Sequence, residues 1–208
     1  MSRHLLLATV VSAFTTFVAA MALRAADATL AVVAVAAVAV LFTWYAQLHS
    51  TDEQSSLGLA NPAAAVTLAV VGRHPWSTLL PVVAAHVVGA VLAGLAALGL
   101  EDRLGDTLVF GTPGLLLTGT GAAVVGLIGA WTTLAVDADG QPPVVAVPVL
   151  VGGAVLPLGL LTSFQPAAVV GLATAGILPW DVALVSVAAV LVASAVGAFA
   201  VSALVPAE

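Results

Sequence analysis

Two carboxamide side chains, each followed by Pro-Ala-Ala, are the residues of this 208-residue chain whose type and spacing suggest chemistry: Asn61-Pro62-Ala63-Ala64 and Gln165-Pro166-Ala167-Ala168. A carboxamide carries donors and an acceptor but no charge. A pair of them suits hydrogen bonding to a neutral polar molecule better than acid–base or nucleophilic work. The chain has no cysteine, which removes thiolate nucleophiles, thiolate metal sites and disulfides together. No Ser/His/Asp set, carboxylate pair or phosphate loop stands in the sequence, so no enzyme is expected. His4, His49, His74 and His86 lack metal-ligand spacing, and Asp137 and Asp139 beside Gly140 and Pro142-Pro143 read as a connection between spans. No metal or cofactor is expected.

The elements that hold these amides are set by composition. The chain is 62% hydrophobic and only 7% charged, against about 25% charged in ordinary soluble domains. Its ionisable residues fall in short islands separated by runs of roughly 20 apolar residues, the length that crosses a bilayer. The runs place six transmembrane helices near Leu5–Leu23, Thr29–Leu48, Ser77–Leu98, Leu115–Val136, Val144–Leu161 and Trp180–Val205. The expected fold is therefore an all-α, multi-pass membrane protein, one domain over residues 1–208, in contact with the lipid bilayer. Residues 2–26 could pass for a signal peptide, but their apolar run exceeds the usual core, so a retained first helix is expected. The net charge of −6 includes four arginines and no lysine; without a basic patch, nucleic acid is not an expected partner. Arg3 and Arg73 fall on one expected side and Arg24 and Arg103 on the other, which leaves the charge rule for orientation balanced.

Two apolar stretches remain, residues 61–72 and 165–176. Each has about 12 residues, or roughly 18 Å if helical, half a membrane. An offset of 104 (165 − 61) aligns them without a gap as far as Trp76 and Trp180, with nine of sixteen positions identical, Gly72 with Gly176 and Pro75-Trp76 with Pro179-Trp180 among them. The same offset sets Ala85, Gly89 and Ala93 opposite Ala189, Ala193 and Gly197, small residues at the spacing that lets helices pack closely in lipid. Three spans per repeat is an odd number, so the second repeat (approximately 106–208) should enter the membrane inverted relative to the first (approximately 1–105). Short Pro/Gly-bounded segments at matching places of inverted halves point to a midplane site. Each has a polar residue for an N-cap, proline at the first helical position and glycine at the far end. Two re-entrant half-helices would meet N-terminus to N-terminus, their positive ends repelling cations while the amides face a polar solute.

These residues resemble the aquaporin and glycerol-facilitator family. Asn61-Pro62-Ala63 matches its first signature, Gln165-Pro166-Ala167 stands where the second would be, and "AAHVVGAVLAG" at residues 84–94 is similar to its third span, with His86 in place of the usual glutamine. The resemblance covers the whole chain. It implies six spans with two half-helices, a homotetramer with one pore per subunit, an inside N-terminus and a cell-membrane location.

The departures bear on selectivity. The arginine that follows the family's second signature is replaced by Ala168. By spacing from Gln165, the other filter positions fall on Gly153 and Thr162, while the second-span contribution is Phe42 or Val38. The family's buried glutamates of the first and fourth spans are absent, with Thr9 and Gly119 or a neighbour in their places. The resemblance then implies a wide, uncharged filter that passes glycerol, urea or ammonia as well as water, with a weaker barrier to protons. His86 implies a neutral buried support for the loop backbone; alternatively it is a coupling group of a secondary transporter. A closed-pore structural subunit is a third reading. Trp44, Tyr45, Trp76, Trp131 and Trp180 read as interfacial anchors.

Overall fold

The protein is described from a computed structural model, which describes residues 3–24, 33, 37, 38, 41, 44, 45, 56–104, 114–138 and 164–204. Every element among them is helical: α1 Arg3–Arg24, α2 Ser56–Ala60, α3 Pro62–Val70, α4 Trp76–Leu98, α5 Glu101–Leu104, α6 Leu115–Ala138, α7 Pro166–Thr174 and α8 Trp180–Leu204. In a hydrocarbon solvent a helix satisfies its own backbone groups, which makes it the default element for Ala-, Val- and Leu-rich runs.

Among the described residues, α1, α4, α6 and α8 are long and apolar enough to cross a membrane. Their 22 to 25 residues correspond to roughly 33–38 Å at 1.5 Å per residue, against about 30 Å of hydrocarbon. Their outer faces carry Leu80, Leu116, Val192 and Phe199, all well exposed, as lipid-facing side chains are. Among the described residues every element is helical and four helices suit a membrane span, as in a multi-pass membrane protein. Of the expected second span, Val33, Ala37, Val38, Leu41, Trp44 and Tyr45 are described and all are helical. The rest of that span, with Phe42, and the expected fifth span at 144–161, with Gly153 and Thr162, lie outside the described residues.

Lipid tails give helices little hydrophobic reason to associate, so close packing through small residues replaces it. A side chain on Gly89 would collide with the Thr9 backbone of α1, and one on Gly94 with the Gly171 backbone of α7. On the other side, a Cβ at Gly126 of α6 would come within 2.7 Å of the Val190 carbonyl of α8, and one at Gly197 within 3.1 Å of Ala130 Cβ. The two small-residue stripes thus serve different pairs, α4 with α1 and α8 with α6.

The short helices are seated crosswise. α7 lies against α4 and α1 and also touches α8, whereas α3 lies against α8 and α6 and also touches α4. Exchanging α1 with α6, α3 with α7 and α4 with α8 reproduces the same set of partners. The buried core between them consists largely of alanines with Leu57, Leu68, Phe164, Leu172 and Leu178, small volumes that let the backbones approach.

Candidate functional site

The nine-residue helix α3 begins as its sequence dictates. Asn61 has extended backbone angles (φ −151, ψ 123), and Pro62 occupies the first helical position, where a missing N–H costs nothing. Asn61 Oδ1 accepts from Ala63 N at 2.8 Å and from Ala64 N at 3.3 Å. Its Nδ2 donates to the Phe164 carbonyl oxygen at 2.7 Å. Phe164 immediately precedes Gln165, so one amide joins the starts of both short helices. Asn61 is completely buried.

The start of α7 differs. Gln165 sits at φ −122, ψ 72 and makes no capping hydrogen bond; its side chain is one methylene longer than that of Asn61, and glutamine is the poorer cap. It is 4% exposed and thus almost as enclosed as Asn61. The expectation of a polar N-cap on both short helices therefore holds for Asn61 and fails for Gln165. Ala167 and Ala168 form the first turn of α7 and are buried. Ala168, at the expected filter position, offers only a methyl group. Phe164 is held from two sides, by Asn61 on its carbonyl and by a notch at Gly129 that leaves room for its ring.

Both short helices end alike. Gly72 and Gly176 take positive φ values of 77 and 71, accessible to glycine without a Cβ penalty. The bonds Gly72 N to Ala69 O and Arg73 N to Leu68 O, repeated as Gly176 N to Ala173 O and Ile177 N to Leu172 O, form the Schellman closure of a helix terminus. Beyond them the surroundings differ. Arg73 Nη1 reaches Asp137 Oδ2 at 3.0 Å in a partly exposed pair. At the end of α7, the buried Arg24 donates from Nη2 to the Ala175 carbonyl at 2.9 Å and approaches Glu101 at 3.5 Å, with its Nε left without a hydrogen-bond partner. The guanidinium thereby sits at the negative end of α7. Nothing in the sequence beyond a charged island at a span end foretold its burial.

His86 is buried in α4, with Nδ1 at 2.7 Å from Ser12 Oγ of α1. Its Nε2 faces the Leu59 backbone without completing a hydrogen bond. The loop backbone expected as its partner is thus secondary to Ser12, which lies one turn beyond Thr9; Thr9 itself bonds the Leu5 carbonyl in its own helix. His74, outside the long helices, is also buried, with Nε2 at 3.3 Å from Thr78 Oγ1. Burial lowers its pKa below the usual histidine value.

The structure therefore brings together Asn61, Pro62, Ala63, Gln165, Pro166, Ala167 and Ala168 at one buried junction, with His86 outside it against Ser12. A cavity of about 360 Å³ lies elsewhere, lined by Arg3, His4, Leu6, Leu7, Val10, Leu41 and Tyr45. Among the described residues, no three His, Asp or Glu side chains converge as metal ligands would. No family model matches the chain, and no curated protein is significantly similar to it. The junction thus rests on its own geometry: two helix starts, one capped and one not, tied by a single buried hydrogen bond.

Proposed function

We propose that the chain is a passive transmembrane channel of the aquaporin type for water and small neutral solutes, such as glycerol, urea or ammonia. In this reading six spans form an inverted 3+3 repeat, α3 and α7 are re-entrant half-helices, and the Asn61–Gln165 junction lies at the membrane midplane in each subunit of a homotetramer. The observation that carries it is the Asn61 Nδ2 to Phe164 O bond of 2.7 Å. Two helix starts that meet inside a membrane present positive ends and amide hydrogens with no charged side chain beside them. Such a junction disfavours cations and accepts neutral, hydrogen-bonding molecules. The crosswise seating of α3 and α7 supports the inverted repeat, since it is unchanged when the elements of the two halves are exchanged. Ala168 supports a filter without a cation.

The near-complete burial of Asn61 and Gln165 favours one second reading, a closed scaffold without flux. Burial to this degree suits either a file one molecule wide or no file at all. Stopped-flow light scattering of proteoliposomes challenged with sucrose, glycerol or urea separates the two. The channel reading expects volume relaxation well above that of empty liposomes for water and at least one solute. Relaxation equal to that of empty liposomes for all of them rejects it.

A further inference from the structure

We infer that the cavity beside the first turns of α1 is a binding site for one anionic phospholipid, its phosphate held by Arg3 and His4 and an acyl chain lying along Leu6, Val10 and Leu41. The inference needs only the membrane-spanning helices and is independent of the channel reading.

The cavity has a volume of about 360 Å³. That falls within the range of about 300–1,000 Å³ occupied by ligand pockets and far above the roughly 30 Å³ of one water. One wall is the start of α1; Leu41 and Tyr45 of the expected second span line it as well. Consecutive spans run in opposite directions, so the start of the first and the end of the second reach the same membrane face. Arg3, His4 and Tyr45 thus form a polar rim at the interface, where a phenol and a long basic side chain are at home. Below the rim the lining turns apolar. From Arg3 to Val10 is roughly 10 Å of helix, which carries the cavity from the headgroups into the hydrocarbon. Leu6 and Leu41 are 53% and 54% exposed, so the cavity opens outward from the helices, which for membrane spans is toward lipid.

The charge at the rim defines the headgroup. The chain as a whole is acidic, at −6, yet no Asp or Glu lines this cavity and none stands in the first turn of α1. A guanidinium presents five N–H donors in a planar fork that matches phosphate oxygens, so a hydrogen bond made elsewhere in the protein still leaves donors for the lipid. The imidazole of His4 adds another donor. A zwitterionic headgroup brings an ammonium that finds no carboxylate here, whereas a headgroup with net negative charge brings nothing that the rim opposes. A free phosphate would leave the apolar length unused, and a bare hydrocarbon would leave Arg3 and His4 unused. An anionic phospholipid uses both.

Native mass spectrometry of the detergent-purified protein tests this by counting retained lipids. Phosphatidylglycerol should stay bound, one per subunit, at concentrations where phosphatidylcholine is lost. Replacing both basic residues, Arg3→Gln with His4→Gln, should weaken phosphatidylglycerol about tenfold, the worth of one charge-assisted hydrogen bond, and leave phosphatidylcholine unchanged. Val10→Trp, which fills the apolar end and keeps the rim, should weaken both lipids. Glycerol 3-phosphate, the headgroup portion without chains, should not displace phosphatidylglycerol at equal concentration. Equal retention of the two lipids by the wild-type protein overturns the inference, as does unchanged phosphatidylglycerol retention in either variant. Displacement by glycerol 3-phosphate also overturns it, in favour of a site for free phosphate. Loss of all lipid on formation of a larger oligomer overturns it in favour of a second copy of the chain. Should a variant fail to give monodisperse protein, the wild-type comparison of the two lipids decides alone.

Discussion

Replacing Asn61 with alanine should destabilise the protein far more than replacing Gln165 with alanine, although the two residues occupy matching places. Asn61→Ala removes the acceptor for Ala63 N and Ala64 N, a cap worth about 0.5–2 kcal/mol. It also strips the Phe164 carbonyl of its donor in a fully enclosed site, which costs about 1–3 kcal/mol more. Together the loss is roughly 2–5 kcal/mol. At about 2–4 °C per kcal/mol for a chain of this size, Tm should drop by roughly 4–20 °C. Gln165→Ala deletes no capping bond and should cost about 1 kcal/mol or less, because no first-turn N–H of α7 loses a side-chain acceptor. Tryptophan fluorescence on heating the detergent-purified protein measures both. Asn61→Asp separates the two roles of the amide: it keeps the cap but turns an oxygen toward Phe164 O, and should still be markedly destabilised. Equal Tm shifts for Asn61→Ala and Gln165→Ala would refute the inequality between the two helix starts.

Three further outcomes follow from the packing and the charges. Gly94→Ala should greatly reduce the yield of monodisperse protein by size-exclusion chromatography, since its Cβ meets the Gly171 backbone, whereas Gly99→Ala, whose Cβ would find only ordinary contacts at 3.6 Å, should leave the yield unchanged. Lowering the pH from 7 to 5 should reduce Tm: His74 has a folded pKa below its unfolded value, so the unfolded state binds more protons below about 6.5 and stability falls as pH drops toward the folded value. His74→Gln should flatten that slope. Asp137→Asn should cost at most about 1 kcal/mol, and less in high salt, because the Arg73 pair is partly exposed; Arg24→Ala, which removes a buried hydrogen bond to Ala175 O, should cost about 1–3 kcal/mol whatever the salt.

The short helices were legible because their punctuation is local. Proline after an amide, nine residues of apolar helix and a glycine with positive φ describe α3 and α7 within a residue or two of the expected limits. The long spans α1, α4, α6 and α8 were legible for the same reason, a length and polarity readable without knowledge of neighbours. Contacts between distant residues were not. Ser12 beside His86, Arg24 beneath α7 and Phe164 in the Gly129 notch depend on which helix faces which, and no periodicity encodes that. The Gln165 cap failed for a subtler reason. Glutamine, one methylene longer, is by its chemistry a poorer cap than asparagine, while the backbone at Gln165 (φ −122, ψ 72) is a tertiary outcome that no local pattern carries.

The crosswise seating of α3 and α7 has a consequence for biogenesis. A ribosome delivers Asn61 to the membrane a hundred residues before the Phe164 carbonyl that it must meet, and α3 emerges before α6 and α8, the helices it rests on. The first half of the chain, once inserted, carries a short helix that has α2 and α4 beside it but lacks α6 and α8, and an Asn61 Nδ2 that lacks its Phe164 acceptor. Assembly of the junction is thus a late and all-or-none event, completed when the second half arrives, and a chain cut between the halves would recover it only if both pieces share one membrane.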